Sequence, residues 1–193
     1  MALKIKEISN VLGATARANK YRVLFTFPSG VSAVTSSQDV DVLAKSATAP
    51  QKEIGTIELW NQGRKLVIHG DTAFDNAYSL DFYADETHQL RADLLKWQTA
   101  ADNFETNIHS GDPEAIFSEV KVQQLDSAGN PTVTYTLHQA FPTIVGEVTW
   151  GDDSSDTPVE FNVTFAYSHW TIGEEENNNF DSINPATKNP TAL

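Results

Sequence analysis

Alternation of apolar and polar residues over seven separate stretches is the feature that most limits what this chain can fold into. Tyr21, Val23, Phe25 and Phe27 fall on one face of an extended segment that ends at Pro28-Ser29-Gly30. Segments 54–60 and 64–69 flank Asn61-Gln62-Gly63, a hairpin turn with glycine where a positive φ is needed. From Asp71 to Tyr83 the pattern puts Phe74, Tyr78, Leu80 and Phe82 on one side, with Ala73, Asp75, Ala77, Ser79 and Asp81 on the other. Segments 120–125 and 132–138 enclose the turn Asp126-Ser127-Ala128-Gly129-Asn130-Pro131, and Val159, Phe161, Val163, Phe165 and Tyr167 share the inner face of a last strand. Side chains of a strand alternate faces with period two, so each stretch reads as a strand with one buried face. Strands of that kind form antiparallel sheets around one core. The expected fold is mainly β, with antiparallel sheets packed as a small barrel or sandwich.

One stretch has the other period. Between Thr87 and Phe104 the residues Leu90, Leu94, Trp97, Ala101 and Phe104 recur at steps of four and three, which is a helix with a narrow apolar stripe to lay on a sheet. Asp85 or Thr87 can cap its start. A weaker helical stretch is expected over 5–14, within an N-terminal arm of residues 1–20. Residues 21–172 form the β domain, and the Asn-, Pro- and Thr-rich remainder, 173–193, is expected to be a flexible tail.

Charge and composition exclude several classes of function. With 193 residues the chain is long enough to bury one substantial core. Twenty-six acids against thirteen Lys and Arg give a net charge of −13, the wrong sign for holding nucleic acid through its phosphates or for resting on an anionic membrane. No cysteine is present, so disulfides, thiol nucleophiles and thiolate-bound metals are excluded. The N-terminal stretch is broken by Glu7, Ser9 and Asn10 where a signal peptide needs an unbroken apolar run, so an unprocessed intracellular product is expected. No segment has the length or hydropathy of a membrane span.

Chemistry-bearing motifs are lacking. The five histidines, at 69, 88, 109, 138 and 169, lie too far apart for metal-ligand spacing, and satisfied or surface histidines are the expectation. The acidic loop Gly151-Asp152-Asp153-Ser154-Ser155-Asp156 lacks the glycine and closing glutamate of a calcium loop and reads as a solvated turn. Asn162-Val163-Thr164 is formally a glycosylation acceptor, but it lies inside a strand. No phosphate-cradling loop or nucleophile elbow occurs. Neither an enzyme nor a cofactor is expected.

Charge is unevenly distributed along the chain. Residues 1–70 carry nine basic and five acidic side chains, whereas residues 122–193 carry one and ten. Such polarity allows one surface of a subunit to attract a different surface of its neighbour.

Three blocks in order resemble the tail tube proteins of contractile-tailed bacteriophages. The first is Arg64-Lys65-Leu66-Val67-Ile68-His69-Gly70-Asp71-Thr72-Ala73-Phe74-Asp75. The second is the helix carrying Lys96-Trp97-Gln98. The third is Phe141-Pro142-Thr143-Ile144-Val145-Gly146-Glu147 followed by Phe161 to Trp170. The sequence departs from the family pattern at Gly63, at Thr72-Ala73 and at Ser168-His169. The resemblance spans roughly residues 17–172 and implies a structural virion protein. By that resemblance, copies join edge to edge into rings of six, and rings stack into the hollow tube through which DNA passes on ejection. Its implied partners are further copies of itself and the sheath, baseplate, tape-measure and tail-terminator proteins. DNA would pass without specific binding and nothing would insert in a membrane. Its implied place is the phage tail, after synthesis in the host cytoplasm.

Within that reading the hairpin tip is the expected inter-subunit or inter-ring hook, through Ile57, Leu59, Trp60, Arg64 and Lys65; the alternative is a hairpin folded back on its own core. Asp75 and Asp81 are the expected lumen-lining acids, the alternative being a face turned to solvent or sheath. Rival readings of the whole chain are a tube-initiating baseplate paralogue, a type VI-like secretion tube subunit and, in another class, a carbohydrate-binding β-sandwich. Inward-facing aromatics argue against the last.

Overall fold

The computed structural model describes residues 15–73, 76–103, 105–106, 108–109, 112–152 and 156–173. Its strands are β1 (Tyr21–Phe25), β2 (Ala44–Ser46), β3 (Glu53–Asn61), β4 (Arg64–Ala73), β5 (Ala77–Tyr83), β6 (Asp102–Asn103), β7 (Ile108–His109), β8 (Ser118–Leu125), β9 (Pro131–Val145), β10 (Glu160–Ala166) and β11 (His169–Gly173). The helices are α1 (Ser37–Leu43), α2 (Gln89–Ala101) and α3 (Pro113–Ile116).

The body is one antiparallel path, β1-β8-β9-β10-β5-β2, with β11 also on β9. The fifteen-residue strand β9 belongs to two layers. Its first half pairs with β8 and β11, and its second half with β10. Gln139, at the change of partners, has φ 54, a left-handed kink that re-aims the strand from one layer to the other. The two ends of the path nearly meet: the Tyr21 hydroxyl on β1 donates to the carbonyl of Ala44 on β2 at 3.1 Å. Burial, with the nearby Tyr83 and Asp41, raises the pKa of that hydroxyl and keeps it a donor. The expected barrel-like β architecture is what the chain forms.

Cross-strand partners build the core. Phe161 faces Phe82, Val163 faces Leu80 and Phe165 faces Tyr78, all buried. Phe25 from the opposite layer meets Phe82 at 6.4 Å and Phe165 at 5.6 Å, joining the two layers. Helix α2 lays Leu90, Leu94 and Trp97 into this core. The Trp97 indole N–H, which burial would otherwise orphan, donates to the Ile116 carbonyl at 2.6 Å. Asp85 serves the start of α2, accepting from the Gln89 amide at 3.0 Å.

The helix ends at Ala101, earlier than the apolar stripe implies, because the chain turns into β6. The alternation over 71–83 is not one strand: Asp71 to Ala73 completes β4, and β5 begins at Ala77. The strand expected to close at His138 runs on to Val145, because the kink at Gln139 breaks the alternation without ending the pairing. The short helix expected over 5–14, Phe104, residues 153–155 of the acidic loop and the tail from 174 onward lie outside the described residues. Among the described residues no helix is long and apolar enough to cross a membrane.

Candidate functional site

The hairpin of β3 and β4 stands off the body. Gln62 and Gly63 at its turn have φ 49 and 78, both in the left-handed region, which suits the right-handed twist of the two strands. Register places Ile57 opposite Ile68, Leu59 opposite Leu66, and Asn61 opposite Arg64 on one face. Thr56 with His69, Glu58 with Val67, and Trp60 with Lys65 occupy the other. Both faces are in solvent. Trp60 is 67% exposed, Leu66 60%, Ile57 49% and Leu59 47%. The hairpin is therefore not folded back on its own core. A two-stranded ribbon is marginal by itself, and this one leaves a contiguous aliphatic face in water.

Each hook residue named from sequence is on this ribbon, but they divide between its faces. Ile57, Leu59 and Arg64 share the aliphatic side, whereas Trp60 and Lys65 are on the reverse, where Lys65 pairs with Glu58. Leu66 and Ile68, as essential to the aliphatic face, were missed. Their alternation in β4 and their register against Ile57 and Leu59 carried the signal. At the base of the ribbon the Tyr78 hydroxyl donates to the Thr48 carbonyl, tying the connection from β2 to the start of β5. Burial pushes the pKa of that phenol up to about 12.

The outer face of the β2-β5-β10 layer is built from small polar side chains. Ser79 and Thr164 share a hydrogen bond at 3.1 Å, and the Thr143 hydroxyl donates to the Thr164 carbonyl at 3.0 Å. Asp81 belongs to this face. Its carboxylate accepts from the Asn162 amide at 2.8 Å and from the Ser46 hydroxyl at 2.6 Å, and these bonds hold its pKa below the usual carboxylate range. Asp75 lies outside the described residues. Asn162, of the formal glycosylation acceptor, is occupied by bonds to Leu80 and Asp81 within the sheet.

The remaining polar clusters have structural roles. His138 and His169 stack at 4.7 Å across the β9–β11 pair, with His138 also bonded to Thr171 at 2.8 Å. Asp93 on α2 is fully buried and accepts from the amides of Val34 and Thr35, the Thr35 hydroxyl, Gln89 and Lys96. Burial alone would raise its pKa; the bonds from Lys96, Thr35 and Val34 outweigh that and keep the carboxyl far below its ordinary value. Among the described residues no group of three His, Asp or Glu side chains could hold a metal ion.

Residues 16–173 match the family model described as phage tail tube protein. The chain is 28% identical over 155 residues to the tail tube protein of Serratia phage KSP90, covering 80% of this chain and 87% of that protein. It is 26% identical over 159 residues to the tail tube protein gp19 of Enterobacteria phage T4, covering 82% and 92%. A similar fold is found in the extended sheath-tube complex of the extracellular contractile injection system PVC. There the TM-score is 0.58 at 13% identity, over 89% of this chain and 99% of that one. A chain of the anti-feeding prophage baseplate gives a TM-score of 0.57 at 13% identity, over 82% and 95%.

Proposed function

This chain belongs to the phage tail tube protein family, and on that premise we propose that it assembles as rings of six that stack into the inner tube of a contractile tail, through which DNA passes. It is a structural protein of the virion. The observation that carries the mode of assembly is the hairpin: an aliphatic ribbon, solvated on both faces, projecting from a body whose own core is already closed. Burying that ribbon on another copy removes several half-exposed aliphatic side chains and Trp60 from water, at roughly 25 cal/mol per Å² before the cost of association. A contact between unlike surfaces closes into a ring if its rotation allows and otherwise propagates as a filament, so stacked rings need both kinds.

Sheath, baseplate, tape-measure and terminator proteins are the expected partners at the outside and the ends of the tube. The face carrying Ser79, Asp81, Asn162 and Thr164 lines the channel. Hydroxyls and the ionised Asp81 carboxylate there offer DNA phosphates no cation to bind, so no counterion release contributes to sticking. The protein works by assembly alone, without catalysis.

Negative-stain microscopy of the Trp60→Asp variant beside the unsubstituted chain tests this reading. The unsubstituted chain should give long hollow tubes and the variant isolated rings or monomers, with unchanged circular dichroism. Tubes of normal length from the variant would remove the hairpin from the contact. Rings alone from the unsubstituted chain would favour a tube-initiating subunit.

A further inference from the structure

A second unpartnered surface lies at the far end of the ladder that carries the hairpin. Strand β2 runs antiparallel to β5, with Ala44 opposite Phe82 and Ser46 opposite Asp81. The hairpin starts at Glu53, seven residues past Ser46, and ends at Ala73, four residues before Ala77, so it leaves one end of this pair. Leu43, immediately before β2, and Asp85, two residues past the end of β5, mark the other end, about 20 Å away along a seven-residue strand. There α1 and the start of α2 enclose a groove of about 330 Å³. Its apolar lining comes from Val34, Val42, Leu43 and Leu90, and its acidic lining from Asp39 and Asp85. Val42 is 81% exposed and Val34 75%. Both carboxylates act as helix-start acceptors, Asp39 from the Ser36 amide at 3.0 Å and Asp85 from the Gln89 amide at 3.0 Å, so their charge is fixed in place. The hydrogen bonds of Ser36 hold the pKa of Asp39 below its ordinary value.

Hairpin and groove match in chemistry. The aliphatic face of the ribbon ends in Arg64, which stands on the same side as Leu59 and Leu66. The groove offers two exposed valines beside two carboxylates. A copy displaced along the β2–β5 direction presents its groove to the hairpin of the copy before it, and a nine-residue strand reaches about 30 Å, enough to cross that gap. We propose that the groove between α1 and α2 receives the β3–β4 hairpin of a second copy. Leu59 and Leu66 lie on Val34 and Val42, and Arg64 faces Asp39 and Asp85. This deepens the tube reading and rests on it, since it names the surface that accepts the hook. Because donor and acceptor surfaces are at opposite ends of one molecule, each docked copy leaves a hairpin and a groove free, and the contact propagates.

The absence of cysteine makes a direct test available. Leu59→Cys and Val42→Cys are prepared as separate single-thiol variants, mixed, and treated with a short bis-maleimide. The expected result is a heterodimer in the mixture, at least tenfold more abundant than any dimer in either variant alone. Leu59→Cys mixed with Ser79→Cys, on the far sheet face, should give no more dimer than the single variants. A second measurement does not depend on thiol geometry: Val42→Asp, on an exposed helix position, should keep the far-ultraviolet dichroism of the unsubstituted chain and slow tube growth, followed by light scattering, more than tenfold. Tubes that form while Leu59 and Val42 fail to cross-link, or normal growth of Val42→Asp, would overturn the groove assignment and leave the tube reading standing. Efficient cross-linking without any tubes would do the reverse.

Discussion

Replacing Asp93 by Asn tests whether the wall of the groove is held by one buried carboxylate. Oδ2 of Asp93 accepts from the amides of Val34 and Thr35 at 2.9 Å each and from the Thr35 hydroxyl at 2.7 Å; Oδ1 accepts from Gln89 at 3.0 Å and Lys96 at 2.7 Å. Asparagine keeps one acceptor oxygen for Val34 and Thr35, but turns an NH₂ toward the donors of Gln89 and Lys96 and removes the charge. Bonds to a charged group contribute about 1.5–3 kcal/mol each and neutral ones about half that. Weakening the three bonds to Oδ2 by about 1 kcal/mol each therefore costs about 3 kcal/mol; the ammonium of Lys96 is half exposed, so its lost pairing adds less than about 1 kcal/mol. For a chain of this length that lowers Tm by roughly 6–12 °C at pH 7. The effect has a pH signature. Because the folded-state pKa of Asp93 is depressed, its stabilisation is complete above the unfolded carboxylate value near 4 and falls as pH drops below it, by about 1.4 kcal/mol per unit. Urea unfolding of both proteins at pH 7 and pH 3 should then give a difference that shrinks on acidification. A difference below about 1 kcal/mol at pH 7, or one that is the same at both pH values, would show that the Asp93 carboxylate does not hold this wall.

Other perturbations separate fold from assembly. Leu59→Asp and Leu66→Asp alter side chains about half exposed on the ribbon, so Tm should change by less than about 2 °C while tube formation is lost; a large drop in Tm would show that the ribbon supports the body. Gly146→Ala places a Cβ 2.7 Å from the Asn162 carbonyl, backbone against backbone, and should cost about 1–3 kcal/mol in denaturant unfolding. Asp75→Lys with Asp81→Lys should permit assembly yet slow DNA release from the particle, and unchanged release kinetics would take these two acids out of the channel.

The strands with one wet and one dry face were legible because period-two alternation records which side meets the core: Phe161, Val163 and Phe165 in β10 and Tyr78, Leu80 and Phe82 in β5 are buried as the pattern implies. Helix α2 was legible for the same reason at its own period. Helix α1 was not foreseen, although Ser36 and Asp39 form a reciprocal capping box that announces it. Its seven residues bury one position, Val40, too little to leave a periodic trace. The continuation of β9 was hidden by the kink at Gln139, and the three residues of β2 are too few to show alternation. The hairpin itself was readable down to its turn. What alternation could not convey is that neither face is covered, because it records a strand's preference for an apolar contact and not which molecule supplies it. The groove was invisible for a further reason: Val34, Val42 and Leu90 come from three separate elements, and only the folded chain brings them beside Asp39 and Asp85.

The most direct measurement of the central claim is a cryo-electron microscopy map of the purified protein after concentration. The expected map is a hollow cylinder of stacked six-membered rings, with hairpin density from each ring seated on its neighbour and Asp81 turned toward the open channel. Solitary globules with the ribbon still in solvent, or a channel wall lined by lysine and arginine, would contradict it.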